Sequence, residues 1–408
     1  MKYQPVIFRE YDVRGVFEKE YNLKFAQNLA RAFVSAVYKK TGKKNPTIAV
    51  GFDARISSPS IADHVCAGLN ESGADSIRLG LVTSPVAYYS TFALEQVDGA
   101  IMITGSHNPP EYNGFKLSIG KSTIFGEAIK QLETIILDKD YLTGAGKDSS
   151  FDIFPSYLER YKKEFGDLKN VPVVLDCGNG AGGIIARRLY EAVGLKPTIL
   201  FEQPDGTFPN HHPDPTVEEN LHDLKAEVLK RKAAVGIGFD GDADRIGVVD
   251  DTGRMVYGDE LIALYARFIL ADKPGQKIIG DVKCSDRLYH YIAKHGGVPI
   301  MWKTGHSLIK EKIKVEKAPF GGELSGHIFF ADRNYGYDDA LYAGLRVIEI
   351  IAKTGKKLSE ILSDFPPAFN TPEIRIDTTE EKKVAIVETL KKAYATPKPM
   401  PKPLPRHS

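Results

Sequence analysis

Short apolar runs, each closed by a polar or glycine-bearing loop and followed by helical spacing, recur along most of this chain. Ala26, Leu29, Phe33 and Val37 keep helical spacing, Ile48 to Phe52 reads as a buried strand, and Ser60 to Leu69 as a weaker helix. Gly99 to Ile103, Val171 to Asp176, Ala234 to Phe239, Ile246 to Val249 and Lys277 to Val282 read as further strands. Helices are expected from Asp259 to Leu270 and after Ser285. This rhythm predicts an α/β fold of three tandem doubly wound, mixed-sheet domains, spanning 1–151, 152–254 and 255–366. The strand-like Glu373 to Ile376 and an amphipathic helix through Tyr394 predict a remnant of a fourth, α+β unit at 367–395. Proline at every second position from Pro397 to Pro405 then forbids helix and central strand, so 396–408 is expected to be extended or disordered.

Composition narrows the partners. With 54 Lys+Arg against 53 Asp+Glu the net charge is +1, so no nucleic-acid or membrane surface is expected as the main partner, and any recognition of phosphate must be local. Cys66, Cys177 and Cys284 are far apart, which argues against a disulfide framework or a structural zinc site. The start of the chain carries Lys2, Arg9, Glu10 and Asp12 instead of a signal-peptide core, so a cytoplasmic protein is expected.

The chemistry sits in loops at strand ends. T-G-S-H-N-P at Thr104 to Pro109 follows a buried strand, at the carboxyl end where open α/β sheets present ligand sites. Ser106 is the candidate nucleophile, with His107 and Asn108 beside it. Downstream, Asn113 to Lys116 is expected to form a second turn ending in a cation. Arg14, in Y-D-V-R-G at Tyr11 to Gly15, is suited to clamping a phosphate. D-G-D-A-D-R at Asp240 to Arg245 places three carboxylates on alternate residues, where they repel one another unless a cation binds them. Oxygen ligands select Mg²⁺, Ca²⁺ or Mn²⁺. A calcium EF-hand loop is the rival pattern, but Arg245 and Asp251 stand where it needs glycine and glutamate. Lys283 lies just past a strand end. K-T-G-H-S at Lys303 to Ser307 opens a helix whose N-terminus attracts an anion. In G-E-L-S-G-H at Gly322 to His327, an extended backbone would point Glu323 and Ser325 the same way, toward neighbouring hydroxyls. The glycine-rich Gly178 to Gly183 lacks dinucleotide-binding spacing and reads as a packing turn, and His211 with His212 as part of a structured loop.

In combination, S-H-N-P, D-G-D-A-D-R, K-T-G-H-S and G-E-L-S-G-H resemble the α-D-phosphohexomutases, specifically the phosphomannomutase/phosphoglucomutase branch. The resemblance implies a phosphoserine at Ser106 and Mg²⁺ held by Asp240, Asp242, Asp244 and the Ser106 phosphate. It implies sugar hydroxyls gripped by Glu323 and Ser325, and an active site lined by Tyr11, Arg14, His107, Asn108, Lys116, Arg245, Lys283 and His306. His327 or Lys116 would handle the hydroxyl proton. The implied activity is reversible phosphate transfer between C1 and C6 of a hexose phosphate, glucose or mannose, with a hexose 1,6-bisphosphate as activator and the chain acting as a monomer.

The chain departs from that family in one respect. No R-x-S-N-T-x-P type phosphate-binding loop occurs after residue 371, which implies a truncated fourth domain and impaired turnover. Two alternatives follow: a metal-dependent phosphatase passing the phosphoserine to water, which leaves Glu323 and Ser325 unexplained, and a sugar-phosphate-binding relic without turnover.

Overall fold

The apolar strands expected at 48–52 and 99–103 lie side by side at the centre of a seven-stranded mixed sheet. The computed structural model of the protein describes residues 2–168, 171–367, 376 and 378–394. Its first sheet comprises β1 (Val13–Val16), β2 (Thr47–Phe52), β3 (Asp75–Leu81), β4 (Gly99–Ile103), β5 (Tyr112–Ile119), β6 (Ser122–Thr123) and β7 (Asp148–Ser150). The order is β1-β5-β4-β2-β3-β7, with β6 paired to β5. The helices are α1 (Leu23–Thr41), α2 (Ser58–Glu71), α3 (Ser84–Ala93) and α4 (Glu127–Asp138). Alternation along β4 explains the two layers: Ile101 and Ile103 join the core under α1, α2 and α4, while Ala100 and Met102 face the core shared with α3.

One expectation fails here. Asn113 to Lys116 is the middle of β5, antiparallel to both β1 and β4, and not a turn. Asn-Gly is a strong turn signal, but Gly114 serves a close approach: a Cβ there would lie 2.5 Å from the Val13 carbonyl oxygen. Its consequence is that Lys116 leaves the strand into a buried interior.

The second sheet, β8 (Val173–Asp176), β9 (Thr198–Leu200), β10 (Val235–Phe239), β11 (Ile246–Asp250) and β12 (Met255–Val256), is flanked by α5 (Phe154–Phe165), α6 (Ala186–Ala192) and α7 (His222–Arg231). The glycine-rich 178–183 is the tight passage from β8 toward α6. His211 is fixed in its loop by Asp176 at 3.1 Å and the His212 carbonyl at 2.9 Å. Four strands form the third sheet: β13 (Lys277–Asp281), β14 (Val298–Trp302), β15 (Phe320–Gly322) and β16 (Ile328–Phe330). Its helices are α8 (Gly258–Asp272), α9 (Asp286–Lys294), α10 (His306–Glu316), α11 (Ala340–Thr354) and α12 (Leu358–Ile361). The chain therefore has three α/β layers with mixed sheets, and one apolar cluster runs from Met102 through Leu175 to Phe320.

Residues from Pro366 onward form a separate unit. Within it, α13 (Glu380–Ala393) is the helix expected before Tyr394, and Thr379 caps it by accepting from the Lys382 amide. Most of the expected strand at 373–376 and all of the proline-rich tract lie outside the described residues. Among the described residues, no helix is long and apolar enough to cross a membrane.

Asp339 joins the second and third layers. Its side chain caps α11 by accepting from the Tyr342 amide at 3.0 Å, and accepts from Tyr157 Oη at 3.0 Å and Tyr161 Oη at 2.5 Å. Burial pushes its carboxyl from 3.8 up to about 6, against the pull of those hydrogen bonds. The folded state thus holds a proton between about pH 4 and 6 that the unfolded chain releases, so stability falls as pH rises through that window. The full loss is about 3 kcal/mol. Asp339→Asn keeps the acceptor and should flatten urea-unfolding midpoints across pH 4 to 7; an unchanged slope would assign the dependence elsewhere.

Candidate active site

Ser106 sits in the loop leaving β4, in the left-handed region at φ 50°. A non-glycine residue holds that conformation only where its surroundings enforce it. Here the enforcement comes from Arg55, buried just past β2. Its guanidinium donates to the carbonyls of Ser106 (2.8 Å), Asn108 (2.6 Å), Pro109 (2.5 Å) and Tyr112 (3.0 Å), and its Nε to Asp53 at 3.1 Å. Asp53 in turn accepts from the Gly105 amide. The nucleophile loop is wrapped around a charged peg.

The D-G-D-A-D-R loop joins β10 to β11 and meets Ser106 head-on. Ser106 Oγ donates to Asp240 Oδ2 at 2.8 Å, and a Cβ on Gly241 would lie 2.4 Å from the Ser106 carbonyl oxygen. Only glycine permits that approach. Asp240, Asp242 and Asp244 are wholly buried and offer oxygens within 4.8 Å of one another. Lys116 Nζ reaches both Asp242, at 2.6 Å, and Asp244. Ser84, at the start of α3, donates its amide to the Asp242 carbonyl and its Oγ to Asp242 Oδ2 at 2.5 Å.

Crowding divides the carboxylates. Burial, with Asp242 and Asp244 nearby, drives Asp240 well above the carboxylate range. Burial also opposes charge on Asp244, but Lys116 and His327 hold it well below that range. Lys116 is likewise held far above its usual value by Asp242 and Asp244 despite burial. Asp242 Oδ1 and Asp244 Oδ1 are buried without a hydrogen-bond partner among the described residues. Such oxygens, in an all-carboxylate set, fit a hard divalent cation.

The third sheet closes the site. Arg245 and His327 form an isolated antiparallel bridge, which brings Arg245 Nε to 3.2 Å from His327 Nε2. His327 lies 3.3 Å from Asp244 and bonds Glu323 at 2.8 Å through Nδ1. Burial works against its charge, yet Asp244 raises it to about 9. Residues 323–326 form a turn, so the extended backbone expected for Glu323 and Ser325 is absent; both side chains instead converge on His327 Nδ1, Ser325 Oγ at 3.3 Å. Glu323 also accepts from the Gly305 amide at 2.5 Å.

Other expected residues separate into near and far. Arg14, on β1, pairs with Asp12 at 2.5 Å and reaches the Gly105 carbonyl at 3.3 Å. His107 is within 3.2 Å of Ser106 Oγ, and burial beside Arg245 and Arg14 keeps it neutral by pushing its pKa far down. Asn108 contributes its carbonyl to Arg55. His306 begins α10, buried and pushed well below its usual pKa by that burial and by Lys310. Tyr11 packs its ring 6.2 Å from His306 and donates to the Thr304 carbonyl at 2.7 Å. Lys283 is not drawn in; it stays exposed on the loop after β13. Arg55, Asp53 and Ser84 were not singled out from the sequence. F-D-A-R at Phe52 to Arg55, a charged pair at a strand end, was the available signal.

Comparison with known proteins agrees with this geometry. Family models for phosphoglucomutase/phosphomannomutase alpha/beta/alpha domains I, II and III match residues 5–142, 155–253 and 257–369. The chain is 43% identical to a phosphomannomutase/phosphoglucomutase of Pseudomonas aeruginosa over 386 residues, covering 95% of this chain and 82% of that one. A phosphoglucomutase of Neisseria gonorrhoeae is 42% identical over 378 residues, 92% of this chain and 81% of its own length. In structure it resembles a phosphoglucomutase/phosphomannomutase family protein from Burkholderia thailandensis, with TM-score 0.86 and 41% identity over 91% of this chain and 81% of that one. A putative phosphomannomutase from Thermus thermophilus gives 0.79 at 25% identity, over 88% and 82%.

Proposed function

The chain belongs to the phosphoglucomutase/phosphomannomutase family, and we propose that it interconverts the 1- and 6-phosphates of glucose or mannose through a phosphoserine at Ser106. The observation that carries this reading is the Ser106 hydroxyl held 2.8 Å from Asp240, within a buried ring of carboxylates and cations from three layers. In the first transfer the bond from Ser106 Oγ to phosphorus breaks as a sugar hydroxyl oxygen bonds that phosphorus; His327 or Lys116, both held as cations, gives a proton to the leaving Oγ and is recharged by the proton of the hydroxyl. In the return transfer Ser106 Oγ bonds the other phosphorus as the bond from that phosphorus to its sugar oxygen breaks, the Ser106 proton ends on that sugar oxygen by the same relay, and product leaves with the phosphoserine restored.

Each residue has a physical task in that cycle. Asp240, Asp242 and Asp244 would hold Mg²⁺, which supplies positive charge at the transferring phosphate. Arg14, Arg245 and Lys116 add fixed cations where negative charge spreads over phosphoryl oxygens. Neutral His107 and His306 donate hydrogen bonds without adding charge. Tyr11, Asn108 and Lys283 stand as further substrate contacts, Lys283 only once a ligand or a movement of its loop reaches it. Glu323 and Ser325 are assigned to sugar hydroxyls, and Glu323 also orients His327.

The test is a steady-state assay of this chain on glucose 1-phosphate and mannose 1-phosphate with Mg²⁺ and a hexose 1,6-bisphosphate. Formation of 6-phosphates that requires both Mg²⁺ and the bisphosphate supports the reading. Asp242→Ala should lower it by about 10³-fold. Release of inorganic phosphate with no 6-phosphate formed would assign a phosphatase instead.

A further inference from the structure

Three loops leave the third sheet at the end that faces Ser106: 282–285 after β13, 303–305 after β14 and 323–327 after β15. One side chain is bonded to all three. Asp281, the last residue of β13, is wholly buried and takes no part in the cycle above. Its Oδ2 accepts from Thr304 Oγ1 at 2.8 Å, and its Oδ1 accepts from the Leu324 amide at 3.1 Å and Cys284 Sγ at 3.0 Å. Its backbone carbonyl is fixed as well, by Tyr289 Oη at 2.6 Å and the Cys284 amide at 3.0 Å. A buried carboxylate with donors on both oxygens is a rigid point to which mobile loops can be tied.

The ties to Leu324 and Thr304 both end beside Glu323 or its partner. Leu324 follows Glu323 in the chain, and Thr304 precedes Gly305, whose amide donates to Glu323 Oε1 at 2.5 Å. The bonds close a ring that runs from Asp281 through Leu324 to Glu323, across to Gly305, and back through Thr304. Gly305 sits at φ 137°, where glycine is favoured, and the Tyr11 ring lies 2.5 Å from where its Cβ would stand. Such a backbone persists only where its neighbours enforce it. Asp281 holds Thr304 by its hydroxyl, and Tyr11 Oη holds it by its carbonyl at 2.7 Å. Fixed from both sides, Glu323 keeps its second oxygen on His327 Nδ1 at 2.8 Å.

We propose that Asp281 is a positioning residue for sugar recognition: without touching substrate, it locks Glu323 in the place from which that carboxylate meets the hexose hydroxyls. Loss of the Asp281 carboxylate releases Leu324 and Thr304, so Glu323 must be ordered anew each time a sugar binds, and affinity falls by the cost of that ordering. The statement about the sugar rests on the mutase reading; the placement of Glu323 does not.

The test compares Asp281→Ala, Asp281→Asn and Thr304→Val with wild type in the full chain. Alanine should raise KM for glucose 1-phosphate at least about tenfold while kcat falls by a smaller factor. Asparagine can still accept from Leu324 through its carbonyl and donate to Thr304 Oγ1 through its amide, so its KM should stay close to wild type. Thr304→Val cuts one bond of the ring, leaves the aspartate in place, and should give an intermediate KM. A role in folding alone would lower the active fraction, and with it kcat, at unchanged KM. That pattern, or an asparagine variant as impaired as alanine, overturns the proposal. Amide hydrogen exchange needs no turnover: the Gly305 and Leu324 amides should exchange faster in Asp281→Ala and not in Asp281→Asn. Unchanged exchange in the alanine variant overturns the proposal whatever the mutase assay shows. Faster exchange in a chain whose wild type has no mutase turnover would sink the mutase reading and still support Asp281 as the residue that places Glu323.

Discussion

Ser106→Ala should reduce hexose phosphate interconversion by at least about 10⁴-fold, because the nucleophile has no substitute within reach. Among the described residues, the only other hydroxyl bonded to the three aspartates, Ser84, is committed to Asp242. Intact-mass measurement after incubation with a hexose 1,6-bisphosphate should show one added phosphate on the wild type and none on the variant. Divalent-ion binding should persist in the variant, since Asp240, Asp242 and Asp244 remain. A variant that is still phosphorylated, or that keeps substantial turnover, would place the phosphoryl acceptor elsewhere.

Lys116→Met should act on stability as strongly as Ser106→Ala acts on chemistry. In the metal-free protein Lys116 is the cation that neutralises Asp242 and Asp244, and all three groups are cut off from water. Removing one member of a buried ion cluster typically costs about 3–5 kcal/mol, because the partner charge is stranded. The same change clears a competitor for the carboxylate oxygens. Unfolding in EDTA should therefore show a large loss that Mg²⁺ restores in good part, with Mg²⁺ bound more tightly than by wild type and turnover low. Equal destabilisation with and without Mg²⁺ would mean that the lysine stabilises through packing and not through charge.

What the sequence disclosed follows from the range over which its signals act. The D-G-D-A-D-R loop was readable because two apolar strands bracket it and the acids alternate, which is local information. Asp53, Arg55 and Ser84 were not, since their partners lie far along the chain: Arg55 holds Ser106 across 51 positions and Ser84 holds Asp242 across 158. Asn113-Gly114 misled because a glycine needed for strand contact carries the same letters as one needed for a turn. Glu323 and Ser325 do come together, but through a turn onto His327. Lys283 occupies a strand end as expected, yet stays in solvent.

The contact between Gly241 and the Ser106 loop also dictates an order of events during synthesis. Ser106 and Asp240 are separated by 134 positions. A ribosome therefore releases the whole first sheet, nucleophile included, before the aspartates exist. Through that interval Lys116 has no carboxylate from the second sheet, and Ser106 has no acceptor for its proton. On the reading of Ser106 as phosphoryl acceptor, the nascent chain is not expected to take phosphate from sugar bisphosphates until the second sheet docks. Docking of that sheet and arming of the serine would then be a single event.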